Sequence, residues 1–510
     1  MSPEGANLAA SSLDFTFGPV AWPLLFLWQA RNLTMRLLAA LLLVSISTAC
    51  ATNPVTGKKE FSLMSEAEEL AIGQQADAEI RREMGVYHDQ ELQRYVSDIG
   101  MRLAQQSHRP NLPWTFTVVD SPAINAFAVP GGYVYVTRGI LPYLKDESEL
   151  AGVLGHEIGH VTARHASQQY SRQAGGSIGL MVLSIFVPQT APFADLSSMG
   201  LGVLFLKYGR DDEIESDRLG MEYASAGGWD PSAVPRFLST LARVDAMSER
   251  GVPNWLSTHP APASRVTVAE PVLAKYASAS AQNRNEDDFL RAIDGVVVGD
   301  SLEQGIVRGQ VFVHPMLRVA LEFPEGWEVA NSAEQVMARE PGSKRFMLLQ
   351  MVEQPRGRSI EEVAVNAMRQ AGYQPLDGAR DSLGGLDAYV GVYRGSLSGV
   401  GRVTMRAAHI AMGRQVFVFA GFAPEAEYDQ VRPQIEASLR TFRELSAQEA
   451  AQVRPNRLSL YTVRPGDSWQ SIAQRAGKGI TNAATLAIMN GFEVADQPQA
   501  GNRVKIIIEG

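Results

Sequence analysis

The chain has 510 residues, of which 45% are hydrophobic and 20% are charged, a composition typical of globular proteins. Its length exceeds that of one compact core and predicts several domains. The formal net charge of −9 argues against a nucleic-acid partner, because nonspecific binding to nucleic acid requires a basic surface. The single cysteine, Cys50, excludes an intrachain disulfide and a cysteine-rich zinc module.

The chain begins with a candidate export signal. Residues 35–49 combine a start-like Met35 and a basic Arg36 with a short apolar run and small residues before Cys50, the layout of a secretory signal peptide. Because the segment ends on a cysteine, it resembles a bacterial lipoprotein signal, which implies lipidation at Cys50 and a membrane anchor. The alternatives are an uncleaved anchor, for which the apolar run is short, or a buried thiol. Residues 1–34 fit no part of a signal and are interpreted as a start assigned too early.

The next region is predicted to be mainly helical. After a polar tether, we expect a helix capped by Ser65, a second helix over about 89–106, and strands in "WTFTVVDS" and "AFAVPGGYVYVTRGIL". A helix containing "GVLGHEIGHVTARH" follows, and helices resume at Glu213. Two apolar, glycine-rich pieces within 168–205 are too short to span a bilayer. They are interpreted as a helical hairpin over the preceding helix or as a surface that contacts a membrane or a client.

The last third of the chain predicts two further domains. Residues 309–445 alternate strand-like and helical runs, which indicates an α+β domain with an antiparallel sheet. Its "LEFPEGWEV" resembles the opening of PsbP-like domains. After a linker at 446–459, residues 460–510 resemble a LysM domain in "YTVRPGD", "IAQRAG" and "MNG". That resemblance implies binding to glycan that contains N-acetylglucosamine, which in a bacterium is peptidoglycan.

The helix around "HEIGH" carries a candidate metal site. Residues four apart lie on one face of a helix, so His156 and His160 can bind one ion, and Glu157 can take a proton from a bound water. A catalytic zinc needs a third protein ligand and one open position, and no further histidine follows at metzincin spacing. On a second predicted helix, Glu213 can supply that ligand. Asp217, on the same face, can hold a ligand imidazole by its other nitrogen.

Three motifs in this order, "HEIGHVTARH", "GRDDEIESDRLG" and "STHPAPASR", resemble the HtpX-like and BepA-like metallopeptidases, which are gluzincins. The "TNPVTGK" that follows Cys50 also matches exported members. The resemblance covers roughly residues 50 to 270 and implies a metallopeptidase domain, assigned to 50–300, with one Zn2+ per chain. It implies that His156, His160 and Glu213 bind the zinc ion and that Glu157 is the general base.

The resemblance also implies a substrate cleft beside the helix. The strand before the "PGG" turn would flank the cleft and pair with an extended substrate. The residues predicted to bind substrate are Asn125, Ala126, Phe127 and Ala128. The resemblance places His259 near the site, where it would stabilise the oxyanion or cap the open metal position in a resting form. His165 is interpreted as structural.

Together these expectations predict a multidomain protein: a mainly α-helical metallopeptidase domain with a small β-sheet, an α+β PsbP-like domain and a small βααβ LysM-like domain. The predicted function is a zinc-dependent endopeptidase of the bacterial periplasm that cleaves misfolded or misassembled envelope proteins. The alternative is a peptidoglycan-anchored, chaperone-like or binding lipoprotein with a resting or inactive metal site. Because Ala51 and Thr52 directly follow Cys50, with no acidic residue there, we expect the anchor to lie in the outer membrane.

Overall fold

A computed structural model of the chain describes residues 50–62, 64–175, 208–247, 255, 259–260, 262–279, 284–332, 335–353, 358–476 and 480–510. The signal-like segment lies outside these residues, as do the apolar pieces after residue 175. Within the described part of the chain, every helix is too short or too polar to cross a bilayer.

The first half of the described chain is mainly helical. Its helices are α1 (Glu66–Met84), α2 (Gln90–Gln105), α3 (Glu147–Thr162), α4 (His165–Gly175), α5 (Arg210–Ala226), α6 (Ala233–Met247), α7 (Pro262–Leu273) and α8 (Glu286–Ile293). As predicted, Ser65 caps α1: its side chain accepts from the amide of Glu68, and the Glu68 carboxylate accepts from the amide of Ser65 at 2.7 Å.

The segment after Cys50 is not the free tether that was predicted. Strands β1 (Cys50–Thr52) and β2 (Lys59–Phe61) form an antiparallel hairpin. The buried Asn53 closes the turn, because its side-chain oxygen accepts from the amides of Val55 and Thr56 at 2.8 and 3.1 Å. Its amide nitrogen reaches the carbonyl of Ala163, just past α3, at 3.4 Å. The hairpin therefore packs on the body of the protein.

A three-stranded sheet lies against the central helix α3. It has the order β3-β5-β4 and consists of β3 (Thr115–Val119), β4 (Ala126–Val129) and β5 (Tyr133–Thr137). Strands β3 and β5 are parallel, whereas β4 is antiparallel to β5. The connecting turn contains Gly131 and Gly132 at φ of +87° and +98°, a backbone conformation that favours glycine. This topology leaves β4 as an edge strand beside α3.

The α+β region has a large antiparallel sheet. Its strands, in the order β12-β13-β14-β15-β11-β10-β9, are β9 (Glu328–Asn331), β10 (Gln335–Arg339), β11 (Phe346–Glu353), β12 (Gln374–Leu383), β13 (Leu386–Leu397), β14 (Gly401–Met412) and β15 (Gln415–Pro424). Helices α9 (Ile360–Gln370) and α10 (Tyr428–Leu439) contact this sheet. A second sheet, in the order β16-β8-β7-β6, is formed by β6 (Ile306–Arg308), β7 (Val311–His314), β8 (Val319–Glu322) and β16 (Arg443–Glu444).

The C-terminal region has the βααβ order that was predicted. After a short helix α11 (Ala447–Gln452), its elements are β17 (Arg457–Thr462), α12 (Trp469–Ala476), α13 (Ala483–Met489) and β18 (Arg503–Ile508). Strands β17 and β18 pair antiparallel. The buried Trp469 and Leu486 belong to the same hydrophobic core as Leu150 and Leu154 of α3. The C-terminal unit is therefore docked on the helical region.

Candidate metal centre

Helix α3 holds the two histidines inside the protein. Asp146 caps it by accepting from the amide of Glu149 at 2.9 Å, and every residue of the helix is buried. The helical repeat places His156 and His160 one turn apart on the same face. Their Nε2 atoms lie 3.0 Å from each other, close enough to bind one ion.

Helix α5 brings a carboxylate to these rings because glycines allow its backbone to touch α3. A Cβ added to Gly155 would lie 3.1 Å from the Cα of Gly220, and one added to Gly220 would lie 3.0 Å from the backbone nitrogen of His156. At this separation Glu213 reaches both imidazoles. Its oxygens lie 3.7 Å from Nε2 of His156 and 3.5 Å from Nε2 of His160.

The donor set fits a zinc ion. Zinc binds nitrogen and oxygen ligands tetrahedrally at about 2.0–2.1 Å, which places neighbouring ligand atoms about 3.4 Å apart. The two Nε2 atoms are 3.0 Å apart, Oε2 of Glu213 is 3.7 Å from that of His156, and Oε1 of Glu213 is 3.5 Å from that of His160. All three side chains are buried. The site therefore has both the size and the chemistry for zinc.

His259 lies at the fourth corner of this arrangement. Its Nδ1 is 3.3 Å from Nε2 of His156 and 3.0 Å from a Glu213 oxygen, so all four side chains offer atoms within 4.8 Å of one another. The indole of Trp255 stacks on the His259 ring at 4.3 Å. Both residues are buried. His259 is therefore close enough to join His156, His160 and Glu213 around one ion.

A buried arginine balances the carboxylates. Arg265 of α7 donates to both oxygens of Asp217, with its Nε at 2.8 Å, and also contacts Glu213. Asp217 in turn has an oxygen 3.0 Å from Nδ1 of His156, the nitrogen that faces away from the ion site. Burial would raise the pKa of Asp217, but Arg265 and His156 outweigh it and lower this pKa to about 2. Sequence reasoning assigned Asp217 but missed Arg265.

Glu157 is a carboxylate with unused hydrogen-bonding capacity. It is fully buried, and among the described residues its oxygens have only weak polar contacts, with the backbone amide of Ala128 and with His259. Burial raises the pKa of Glu157 to about 8. Nε2 of His259 lies 3.5 Å from its Oε1. A buried carboxylate beside an ion site is the arrangement that a general base needs.

The segment predicted to bind substrate lies against this centre. Asn125 is buried, and Ala126, Phe127 and Ala128 lie in the buried edge strand β4. The backbone amide of Ala128 faces Glu157 closely enough to lower the pKa of that carboxyl against the effect of burial. The strand end is covered, since the amide of Trp255 donates to the carbonyl of Ile124 at 3.1 Å. Pairing with an extended substrate would require the Trp255 segment to move.

Two aromatic residues contact His160. Tyr208 stacks on its ring at 3.8 Å. His165, interpreted as structural, has its Nδ1 only 3.0 Å from Nδ1 of His160. The remaining histidines lie away from the ion site: His108 bonds to Tyr223 at 2.6 Å, and His314 and His409 lie in the α+β region.

Comparison with known families decides the class of this site. Residues 90–272 match the model of peptidase family M48, and these residues contain the histidine pair, Glu213 and His259. Over these residues the chain is similar to M48 peptidases. M48 peptidases are zinc-dependent metallopeptidases, which agrees with the buried ligand cluster. Residues 461–506 match the LysM model, so the C-terminal unit is a LysM domain.

Curated relatives of the M48 domain are proteases. The Escherichia coli (strain K12) protein "Beta-barrel assembly-enhancing protease" is 32% identical over 251 residues, covering 47% of this chain and 51% of that protein. The Yersinia pestis protein of the same name is 29% identical over 63% of this chain and 71% of that protein. The "Mitochondrial metalloendopeptidase OMA1" of Arabidopsis thaliana is 30% identical over 46% and 47%. The chain thus spans about half the length of the first relatives.

The α+β region has weaker counterparts among solved structures. A cyanobacterial PsbP from Synechocystis sp. matches 29% of this chain and 98% of its own length, with 14% identity and a TM-score of 0.22. At these values the PsbP-like assignment of residues 309–445 stays a prediction.

Proposed function

We propose that the chain is a zinc-dependent endopeptidase of the bacterial cell envelope. The observation that carries this proposal is the convergence of His156, His160 and Glu213 at zinc-like separations, with the buried carboxylate of Glu157 beside them. The M48 domain and its protease relatives support the same class of reaction.

The proposed chemistry is hydrolysis of a peptide bond. A zinc ion at this centre would polarise the peptide carbonyl and acidify a water. Glu157 takes the proton from that water and delivers it to the leaving amine. Asp217 holds His156 in the tautomer that leaves Nε2 free as a ligand. Strand β4 aligns the substrate by main-chain hydrogen bonds once its covered end is open.

The structure contains a feature that favours a resting form of this enzyme. His259 contacts His156 and Glu213, and Trp255 both stacks on it and bonds to the carbonyl of Ile124, just before β4. We propose that these two side chains keep the centre closed until a substrate displaces them. A permanently inactive, chaperone-like binding protein is the competing function, and it predicts no hydrolysis under any condition.

We further propose that the protein acts at the outer membrane, on the periplasmic side, anchored by a lipid on Cys50. The signal-like segment before Cys50 supports the anchor, and the LysM domain supports contact with peptidoglycan. The bacterial relatives are named as proteases that enhance β-barrel assembly, which supports misassembled envelope proteins as substrates. Fatty-acid labelling that Cys50→Ala abolishes, and retention on purified peptidoglycan, are the expected results. An unlabelled or freely soluble protein would contradict this placement.

The catalytic proposal is tested with the variant Glu157→Gln. We expect it to bind one zinc per chain, as the wild type does, and to lose cleavage of unfolded casein, because the amide cannot accept the proton. A chelator should abolish cleavage by the wild type, and added zinc should restore it. Glu222→Gln, on the outer face of α5, serves as the matched control and should cleave normally. Full activity in Glu157→Gln would refute the assignment.

A further inference from the structure

A break in the helix that carries the metal ligands turns His165 back toward His160. In a continuous helix these residues, five apart, would lie about 140° from each other around the axis. Instead α3 ends at Thr162, Arg164 adopts a left-handed φ of 60°, and α4 begins at His165. Arg164 is held in this turn by Glu69 at 2.6 Å and by the carbonyl of Met64 at 2.7 Å. The turn is therefore fixed by contacts from α1 and the segment before it.

His165 lies between a metal ligand and a carboxylate. Its Nδ1 is 3.0 Å from Nδ1 of His160, and its Nε2 is 3.2 Å from a carboxylate oxygen of Glu215 on α5. The hydroxyl of Ser216 lies 3.4 Å from the same Nδ1, and Asp212 lies 4.0 Å from Nε2. The His165 side chain is 1% exposed, and that of its partner Glu215 is 27% exposed.

Zinc binding by His160 would fix the proton positions on His160 and His165. If Nε2 of His160 gives its lone pair to zinc, the neutral ring carries its hydrogen on Nδ1. That hydrogen can then be donated only to a bare Nδ1 of His165. A neutral His165 with a bare Nδ1 has its hydrogen on Nε2, which faces Glu215. In this arrangement His160 donates to His165, and His165 donates to Glu215.

We propose that His165 and Glu215 act as a positioning pair for His160, fixing the tautomer and ring orientation that binds zinc. The inference rests on the proposed zinc centre and extends it with two residues. It gives His160 the kind of support that Asp217 gives His156. Tyr208 stacks on the face of the same ring, so His160 is held both in its plane and against one face.

The test is the zinc affinity of purified full-length variants, measured by competition with a chelator. His165→Ala should bind zinc roughly 10- to 100-fold more weakly, the range typical for loss of such outer partners. His165→Gln should recover most of the affinity, because its amide oxygen can accept from His160 and its amide nitrogen can donate to Glu215. In the cobalt-substituted protein, the visible absorption band should shift for His165→Ala and return for His165→Gln.

His108→Ala is the matched control, since it also removes a histidine contact with α5 but touches no metal ligand. Its zinc affinity should equal that of the wild type. Wild-type affinity in folded His165→Ala, or equal losses in the Ala and Gln variants, would overturn the pair. If His165→Ala does not fold, Glu215→Ala decides: it should bind zinc more weakly, and wild-type affinity in it also overturns the proposal. If the wild type binds zinc and cleaves casein while these variants bind zinc with wild-type affinity, the positioning pair is refuted but the proposed zinc centre is not.

Discussion

At the scale of single residues, the centre depends on a buried charge balance. Glu213 and Asp217 are buried carboxylates, and Arg265 contacts both. Burial would raise the pKa of Glu213, but His259 and Arg265 outweigh it and lower it, so the ligand stays ionised. The same arginine aligns the oxygen of Asp217 that faces His156. Arg265 thus balances the charge of Glu213, a proposed metal ligand, and the charge of Asp217, which contacts the ligand His156.

Replacing Arg265 by methionine should therefore destabilise the metal-free protein by about 3–5 kcal/mol, the usual cost of leaving buried charge unpaired. Zinc supplies positive charge at the same carboxylates, so it should stabilise Arg265→Met more than it stabilises the wild type. Denaturant unfolding with and without zinc measures both effects. Arg218→Met, on the more exposed side of α5, is the control and should change stability little. An equal response of Arg265→Met and the wild type to zinc would refute this counter-ion role.

His259 gives a second prediction at the same scale. Because its ring lies within 3.0–3.3 Å of Glu213 and His156, its removal should open the fourth position. We expect His259→Ala to cleave unfolded casein faster than the wild type while it keeps one zinc per chain. Initial rates at matched zinc occupancy provide the measurement. A slower variant would instead indicate that His259 stabilises the transition state.

At the scale of elements, the centre depends on how closely α3 and α5 approach. The positions where their backbones meet are Gly155, Gly159 and Gly220, with Ser216 opposite Gly159. A Cβ atom added to any of these three glycines would lie within 3.0–3.3 Å of the facing helix. The spacing between His156 and Glu213 is set by this contact, since each residue is fixed to its own helix.

Gly220→Ala should move the helices apart, because its new methyl group would lie 3.0 Å from the backbone nitrogen of His156. We expect a loss of stability of about 1–3 kcal/mol, typical of overpacking, together with weaker zinc binding. Glu222→Ala on the outer face of α5 is the control for helix substitutions. Thermal unfolding and zinc competition give the two readouts. Wild-type zinc affinity in Gly220→Ala would show that the helix separation does not set the site.

Helical spacing explains which parts of the site the sequence could predict. The four-residue interval between His156 and His160 and the interval between Glu213 and Asp217 place each pair on one helix face, which is where the structure has them. The contact between His165 and His160 was not predicted because the helix was assumed to continue, whereas Arg164 reverses the chain through a left-handed conformation. The small residues Gly155, Gly159, Ser216 and Gly220 could also have predicted that the two helices pack closely.

At the scale of the whole molecule, the LysM domain is docked on the M48 domain. Arg243 of α6 pairs with Glu493 at 2.7 Å, and the two units share one core. The buried Lys505 of β18 donates to the carbonyl of Leu144, just before α3. Contacts between residues so distant in sequence leave no local pattern, so this docking could not be predicted.

Lys505 makes the stability of this interface depend on pH. Burial lowers the pKa of Lys505 from 10.5 to about 7. The nearby carboxylates of Glu149, Asp146 and Glu286 act in the opposite direction, whereas the positive charge of Lys145 lowers this pKa further. The unfolded chain therefore binds one more proton than the folded chain between these two pH values. Folding is penalised below pH 7, and the penalty disappears as the pH rises to 10.5.

Lys505→Met should accordingly raise the thermal unfolding temperature at pH 7, and its advantage over the wild type should shrink toward pH 10. Thermal scans across this range check the prediction. Lys344→Met, whose side chain lies in the α+β region, provides the control and should show no such pH-dependent gain. An advantage of Lys505→Met that stays constant with pH would contradict a buried, neutral lysine.

The central claim is that one zinc ion is bound by side chains from α3 and α5. Anomalous diffraction from crystals of the full chain, collected on both sides of the zinc absorption edge, tests it most directly. We predict one strong peak per chain, about 2.0–2.2 Å from Nε2 of His156, Nε2 of His160 and an oxygen of Glu213. A zinc-loaded protein whose peak lies elsewhere, or whose Glu213 is turned away from the ion, would contradict the account.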